Sequence, residues 1–259
     1  MHGRSQRDWR TNRAYGQPHL MSTVEASMKP AALGPLLRGE VTTIVTWLQR
    51  WNTRTGSFHI AVILLGAGLY GAAMGAWRAP MQAVVTAIKF PLVILLTTLG
   101  NALLNGMLAP LLGLNISFRQ SLLVVLMSFT IAAAILGSFS SIAYFIVWNT
   151  ASVGARSGSA SLGYSFMQLT HVALIAFAGV LANMRLVPVL RELSGSAVVA
   201  RKVLFAWLAG NLLLGSQIYW VLRPFIGRPD MEVEFLGQHP FQSNFFEQVF
   251  EAARHLVSP

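Results

Sequence analysis

The apolar positions of this chain fall into five long runs, near residues 58–77, 90–112, 121–148, 164–184 and 202–222, with short polar stretches between them. Each run reaches about the 20 residues that a helix needs to cross roughly 30 Å of hydrocarbon. An apolar segment alone in lipid must satisfy its own backbone hydrogen bonds, so all five are predicted to be helices. The third is long enough to tilt or to continue past the bilayer.

A second kind of periodicity flanks these runs. Between Arg78 and Pro91, Met81, Val84, Val85 and Ile88 recur at i, i+3, i+4 and i+7, while Gln82, Thr86 and Lys89 recur on another face. The pattern predicts a short amphipathic helix in the membrane interface with Lys89 on its polar side. Pro91 would then open the true span at its first turn, where a missing N–H costs nothing. The alternative buries Lys89 as a functional charge, and with no carboxylate in any span its partner would be an amide, a carbonyl, water or another subunit. Pattern and proline favour the interfacial reading. Before the first run, Leu37, Val41, Ile44, Leu48 and Trp51 form one stripe with Trp47 beside it and Arg38, Arg50 and Arg54 around it. This reads as an interfacial helix over 36–56, its face suited either to anionic headgroups or to the protein's own helices. After the last run, Tyr219 and Trp220 make an interfacial aromatic anchor, and Arg223 with Pro224 ends the helix. Asn244 and Glu247 then form a capping box for a short helix with Phe245, Val249, Leu256, Phe246 and Phe250 on its apolar side. That side is expected to pack on the chain's own helices or on the bilayer surface.

Composition agrees with a lipid-solvated chain: 54% of the residues are hydrophobic and 11% charged, against about 25% charged in soluble domains. The expected class is an all-α integral membrane protein with about five transmembrane helices and interfacial amphipathic helices. Its parts are a disordered basic cytoplasmic tail (1–35), the interfacial helix (36–56), a transmembrane domain (57–223) and an outer tail (224–259). Met21 is a candidate alternative start, and no signal peptide is visible.

Charge gives orientation. Thirteen of the 19 Lys and Arg residues fall on the side that holds the N-terminus, among them Arg4, Arg7, Arg10, Arg13, Arg185, Arg191, Arg201 and Lys202. The positive-inside rule then places the N-terminus in the cytoplasm and the C-terminus outside a cytoplasmic (inner) membrane. The net charge of +10 is thereby explained as a topology signal, and no nucleic-acid partner is expected. The expected partners are the bilayer, with anionic lipids at the cytoplasmic face, and a second copy or another membrane protein.

Candidate chemistry is sparse. There is no cysteine, and from Val41 to Arg191 no Asp or Glu occurs, which argues against proton-coupled carriers, intramembrane metal sites and metal-dependent lipid enzymes. His171 lies in the fourth run without a G-x-S-x-G elbow nearby. No catalytic residue and no cofactor is expected. The polar residues within runs are mostly amides: Asn101 and Asn105 one turn apart, Asn183, Asn211 and Gln217. Such groups either join helices or line a path for a polar solute. Ala67, Gly71 and Gly75 repeat every four residues, as do Ala206 with Gly210 and Ala178 with Ala182, a spacing that lets backbones approach.

Certain short motifs resemble the Yip1-like membrane proteins, bacterial members in particular: GLYG at 68–71 followed by Gly75, A-x-K-x-P-L at 87–92, W-x-L-R-P-F-I-G at 220–227 and NFFE at 244–247. The resemblance covers about residues 58–256. It implies a five-helix, non-catalytic protein of membrane organisation or complex assembly and brings no active-site residues. The expected function is a scaffold, membrane-organising factor or accessory subunit; the alternative is a small transporter or channel with amide-lined helices.

Overall fold

The computed structural model describes residues 32–50, 53–150, 157–227, 232–237, 241 and 243–257. Among them are eight helices and no strand: α1 (Leu33–Arg38), α2 (Val41–Gln49), α3 (Thr53–Gly75), α4 (Pro80–Leu111), α5 (Phe118–Asn149), α6 (Ser157–Ser194), α7 (Ala197–Val221) and α8 (Phe245–Val257). Helices α3 to α7 are long and apolar enough to cross a membrane. They correspond one to one to the five apolar runs, which makes the chain an all-α protein of multi-pass membrane type.

Local signals set the ends of these helices. Ser117 accepts from the Gln120 amide, and Gln120 in turn accepts from Ser117, the reciprocal cap that starts α5. Ser196 caps α7 in the same sense. Gly39 turns α1 into α2 with φ +70, a left-handed conformation that glycine adopts without a Cβ clash. This turn corrects the single helix expected over 36–56: two short helices stand there, and α3 begins at Thr53. The predicted tail over 1–35 lies almost wholly outside the described residues, as does Trp51.

Helix α3 lies between α4 and α5, α6 packs on α5, and α7 packs on α4 and α6. Its small-residue stripe is the reason α3 fits there. A Cβ added at Gly71 would stand 2.6 Å from the Thr86 carbonyl oxygen, and one at Gly75 2.5 Å from that of Gln82; backbone touches backbone. Ala67, Ala178 and Ala182 are buried as well. Connectivity places α1, α2 and the α4–α5 and α6–α7 turns at one end of the bundle, the amino end. The α3–α4 turn, the segment after α7, and α8 lie at the other, the tail end.

The largest departure from expectation is α4. The amphipathic stretch and the span are one continuous helix, with Pro91 inside it. Proline at 91 leaves the Ala87 carbonyl without its amide donor. That carbonyl faces Gly68 of α3, 3.4 Å from where a Cβ would stand, so the missing side chain leaves it room. The two faces predicted for 81–89 are present, except that Val85 of the apolar set is buried, and their sense is reversed. Gln82, Thr86 and Lys89 are each 0% exposed, whereas Met81, Val84 and Ile88 are 62%, 56% and 59% exposed. In lipid the apolar side is the solvated one.

The aromatic face of α1–α2 turns inward. Leu36, Ile44, Trp47 and Leu48 are buried, and α2 packs on α6 and α5. Of the two readings of that face, packing on the chain's own helices is the one observed. Helix α8 likewise packs on α6 and α7, with Ala252 buried and Phe246 and Phe250 exposed.

Candidate functional site

Buried polar side chains concentrate on one stripe of α4, and an apolar belt of Phe90, Val93 and Ile94 divides them into two groups. The first group, toward the tail end, is built around the segment that follows α7. This segment folds back into the bundle: Phe225 stacks on Tyr219 with centroids 4.1 Å apart and meets Phe90 edge-on at 6.4 Å. Its carbonyls then accept from the donors of α4, while Gln82 Oε1 stays buried without a partner among the described residues. The Gln82 amide donates to the carbonyl oxygens of Phe225 (2.9 Å) and Pro224 (3.2 Å), and the Thr86 hydroxyl donates to that of Phe225 (2.6 Å). Lys89 Nζ donates to the carbonyl oxygens of Pro224 (3.0 Å) and Glu234 (3.5 Å). Two rings complete its surroundings, with Phe235 centred 5.0 Å and Phe225 5.7 Å from Nζ. Carbonyl dipoles and ring faces both direct negative potential at an ammonium. Lys89 is therefore not a headgroup-facing residue; it is enclosed, and carbonyls are its partners.

Beside this group, the Tyr70 hydroxyl and His171 Nδ1 are hydrogen-bonded at 2.8 Å, joining α3 to α6. Both side chains are buried, which makes His171 a tie between helices. His59 forms a similar tie to Thr130 of α5 at 3.1 Å. Tyr70, His59 and Thr130 were not singled out by sequence reasoning. A hydroxyl or imidazole inside an apolar run is the signal that would have found them, because lipid forces such groups to seek partners.

The second group sits at the seam of α4 with α7, where Thr97, Asn101 and Asn105 follow at i, i+4 and i+8 and are buried. Asn101 Nδ2 donates to Asn211 Oδ1 across the seam. Gly210 permits that approach, since a Cβ there would stand 2.6 Å from Asn101 Oδ1. Thr97 Oγ1, Asn101 Oδ1 and Asn105 Nδ2 are buried with no hydrogen-bond partner among the described residues.

The remaining predicted positions scatter. Asn183 donates to the Gly179 carbonyl of its own helix, and Gln217 is exposed on α7. Trp220 is buried beneath the Arg223 guanidinium, 3.8 Å from its ring centroid, while burial draws the Arg223 pKa below its ordinary value and neighbouring Tyr164 opposes that change. Trp47 is a core residue and no headgroup anchor. Among the described residues no three of His, Asp and Glu gather as a metal would require. Compared with family models, with curated proteins and with solved structures, the chain matches none.

Proposed function

We propose that this chain is a non-catalytic multi-pass protein of a cytoplasmic membrane, N-terminus inside, acting as a Yip1-like scaffold, membrane-organising factor or accessory subunit. The observation that carries this reading is where the buried polar groups go. Lys89, Gln82 and Thr86 hold the tail segment, Tyr70 and His59 join neighbouring helices to α3, and Asn101 joins α7. Polar groups used in this way fix an architecture. Outside, α4 and α7 leave Leu99, Leu103, Met107, Phe205, Leu212 and Leu213 uncovered, faces available to lipid or to another membrane helix. The second reading, a small transporter or channel, draws on the unpartnered atoms of the α4–α7 seam.

Two measurements test these readings. A reporter active only in the cytoplasm should work when fused near Ser194 and fail when fused at the C-terminus. Purified protein in liposomes should pass ions and small neutral solutes no faster than empty liposomes. Flux that disappears in Thr97→Val would replace the scaffold reading with the channel.

A further inference from the structure

At the amino end, α2 and α6 diverge around an open groove of about 830 Å³, walled by Val41, Val45, Met184 and Val187 and bordered by Arg191 and Glu192. We infer that this groove seats one anionic phospholipid, an acyl chain along the valine and methionine wall and the phosphate on Arg191. The site goes beyond the scaffold reading and holds whether or not the chain joins a partner; it rests only on α6 crossing a membrane.

The position of the groove along α6 points to lipid. No charged residue occurs in α6 from Ser157 to Met184, and then Arg185 and Arg191 follow within two turns. Where charge returns to a spanning helix, hydrocarbon gives way to headgroups. The groove straddles that level along α6, with Met184 on the hydrocarbon side of Arg185, Val187 within a turn of it and Arg191 at the rim. An amphiphile with an anionic head matches this order of surfaces; a water-soluble anion would leave the apolar wall unused.

The polar inventory of the rim narrows the choice further. The Thr46 hydroxyl already donates to the Thr42 carbonyl, and Glu40 is paired with Arg38. Arg191 offers a planar set of donors that suits phosphate oxygens in pairs. Glu192 is the opposing charge, about 100° further round the helix. It sets the phosphate toward the Arg191 side and reduces the affinity that Arg191 alone would give.

The test uses the full chain, delipidated in neutral detergent, titrated with phosphatidylglycerol or phosphatidylcholine and read by native mass spectrometry. Phosphatidylglycerol should be retained in preference. Arg191→Ala should weaken its binding about fivefold, the value of one basic residue at an anionic surface, and leave phosphatidylcholine unchanged. Glu192→Gln should strengthen it. Met184→Trp, which fills the groove, should weaken both lipids. Met184, Arg191 and Glu192 are exposed, so unchanged melting temperatures are expected and show that each variant folds. Equal retention by wild type and Met184→Trp, or a loss in Arg191→Ala no greater than in Arg119→Ala, an exposed arginine in the first turn of α5 at the same end of the bundle, would overturn the assignment.

Discussion

The two polar groups of α4 use related side chains at similar burial and are satisfied to different degrees. Toward the tail end, Gln82, Thr86 and Lys89 meet backbone carbonyls supplied by the segment after α7. Beyond the Phe90–Ile94 belt, Thr97 and Asn101 meet α7, a regular helix whose carbonyls are already bonded within it; with Asn105 they leave three buried atoms without a partner among the described residues, against one, Gln82 Oε1, in the tail-end group. The difference lies in the neighbour. An irregular segment has free carbonyls to offer and needs donors for them; a helix offers only its side chains. The tail group is accordingly a fastening, and of the two the seam group has the larger polar surplus.

The largest effect expected from breaking this arrangement comes from α3, which sets the position of the fastened part of α4. Gly71→Leu or Gly75→Leu drives a side chain into the backbone of Thr86 or Gln82 and should cost about 3 kcal/mol, the upper range for overpacking. Leu65→Ile, at a residue 69% exposed, should stay within about 0.5 kcal/mol. Thermal melting in detergent separates them, and equal melting of all three would mean that α3 does not pack by this stripe.

Next is Lys89. Its replacement by leucine removes the charged donor from the Pro224 and Glu234 carbonyls, leaving the Pro224 carbonyl to the weaker Gln82 amide, and should cost about 2 kcal/mol, the scale of hydrogen bonds to charged groups. The tail segment should then loosen, read as faster cleavage by a glutamate-specific protease after Glu232 or Glu234. In this cysteine-free chain, a cysteine at 89 should resist a membrane-impermeant maleimide while one at exposed Glu232 reacts. Rapid labelling at 89 would return Lys89 to the headgroup region.

Lys89 also shows how much was legible beforehand. Periodicity found both faces of 81–89 and all five spans, because those depend only on spacing and hydropathy. Which face turns inward depends on what surrounds the helix, and the interfacial reading assigned water and headgroups to a side that the folded tail occupies. Pro91 misled for a related reason: the room its freed carbonyl needs is supplied by Gly68, on a different helix. Asn101 and Asn211 were visible as polar residues in apolar runs, but their pairing across 110 positions was not. Pairing at that range is a product of packing.

The seam supplies a smaller effect. Asn101→Leu should cost about 1 kcal/mol, the scale of an interhelical polar bond in a membrane, since it leaves Asn211 without its donor. Thr97→Val should be neutral or mildly stabilising, because the hydroxyl it removes has no partner to lose among the described residues. Melting curves of the two variants decide. A Thr97→Val protein as damaged as Asn101→Leu would mean that Thr97 is engaged after all, and the contrast between the two halves of α4 would fall.

The smallest effect is expected at Gln217, and its smallness is informative. Helix α7 is the least enclosed of the five, with 17% of its most apolar window buried, and Gln217 lies on its exposed side with Leu213. If lipid covers that side, Gln217→Leu removes an unpaired amide from hydrocarbon, and stability in detergent should stay level or rise slightly. Chemical crosslinking in membranes should show the same oligomeric pattern as wild type. If another helix covers it, a second copy or a partner subunit, the amide is the kind of group that bonds across the interface, and Gln217→Leu should shift crosslinked species toward the monomer while leaving the monomer's own melting unchanged. That second outcome would show that a polar group of α7 without a partner among the described residues finds one outside this chain, and would extend the polar surplus of the seam to the outer face of the same helix.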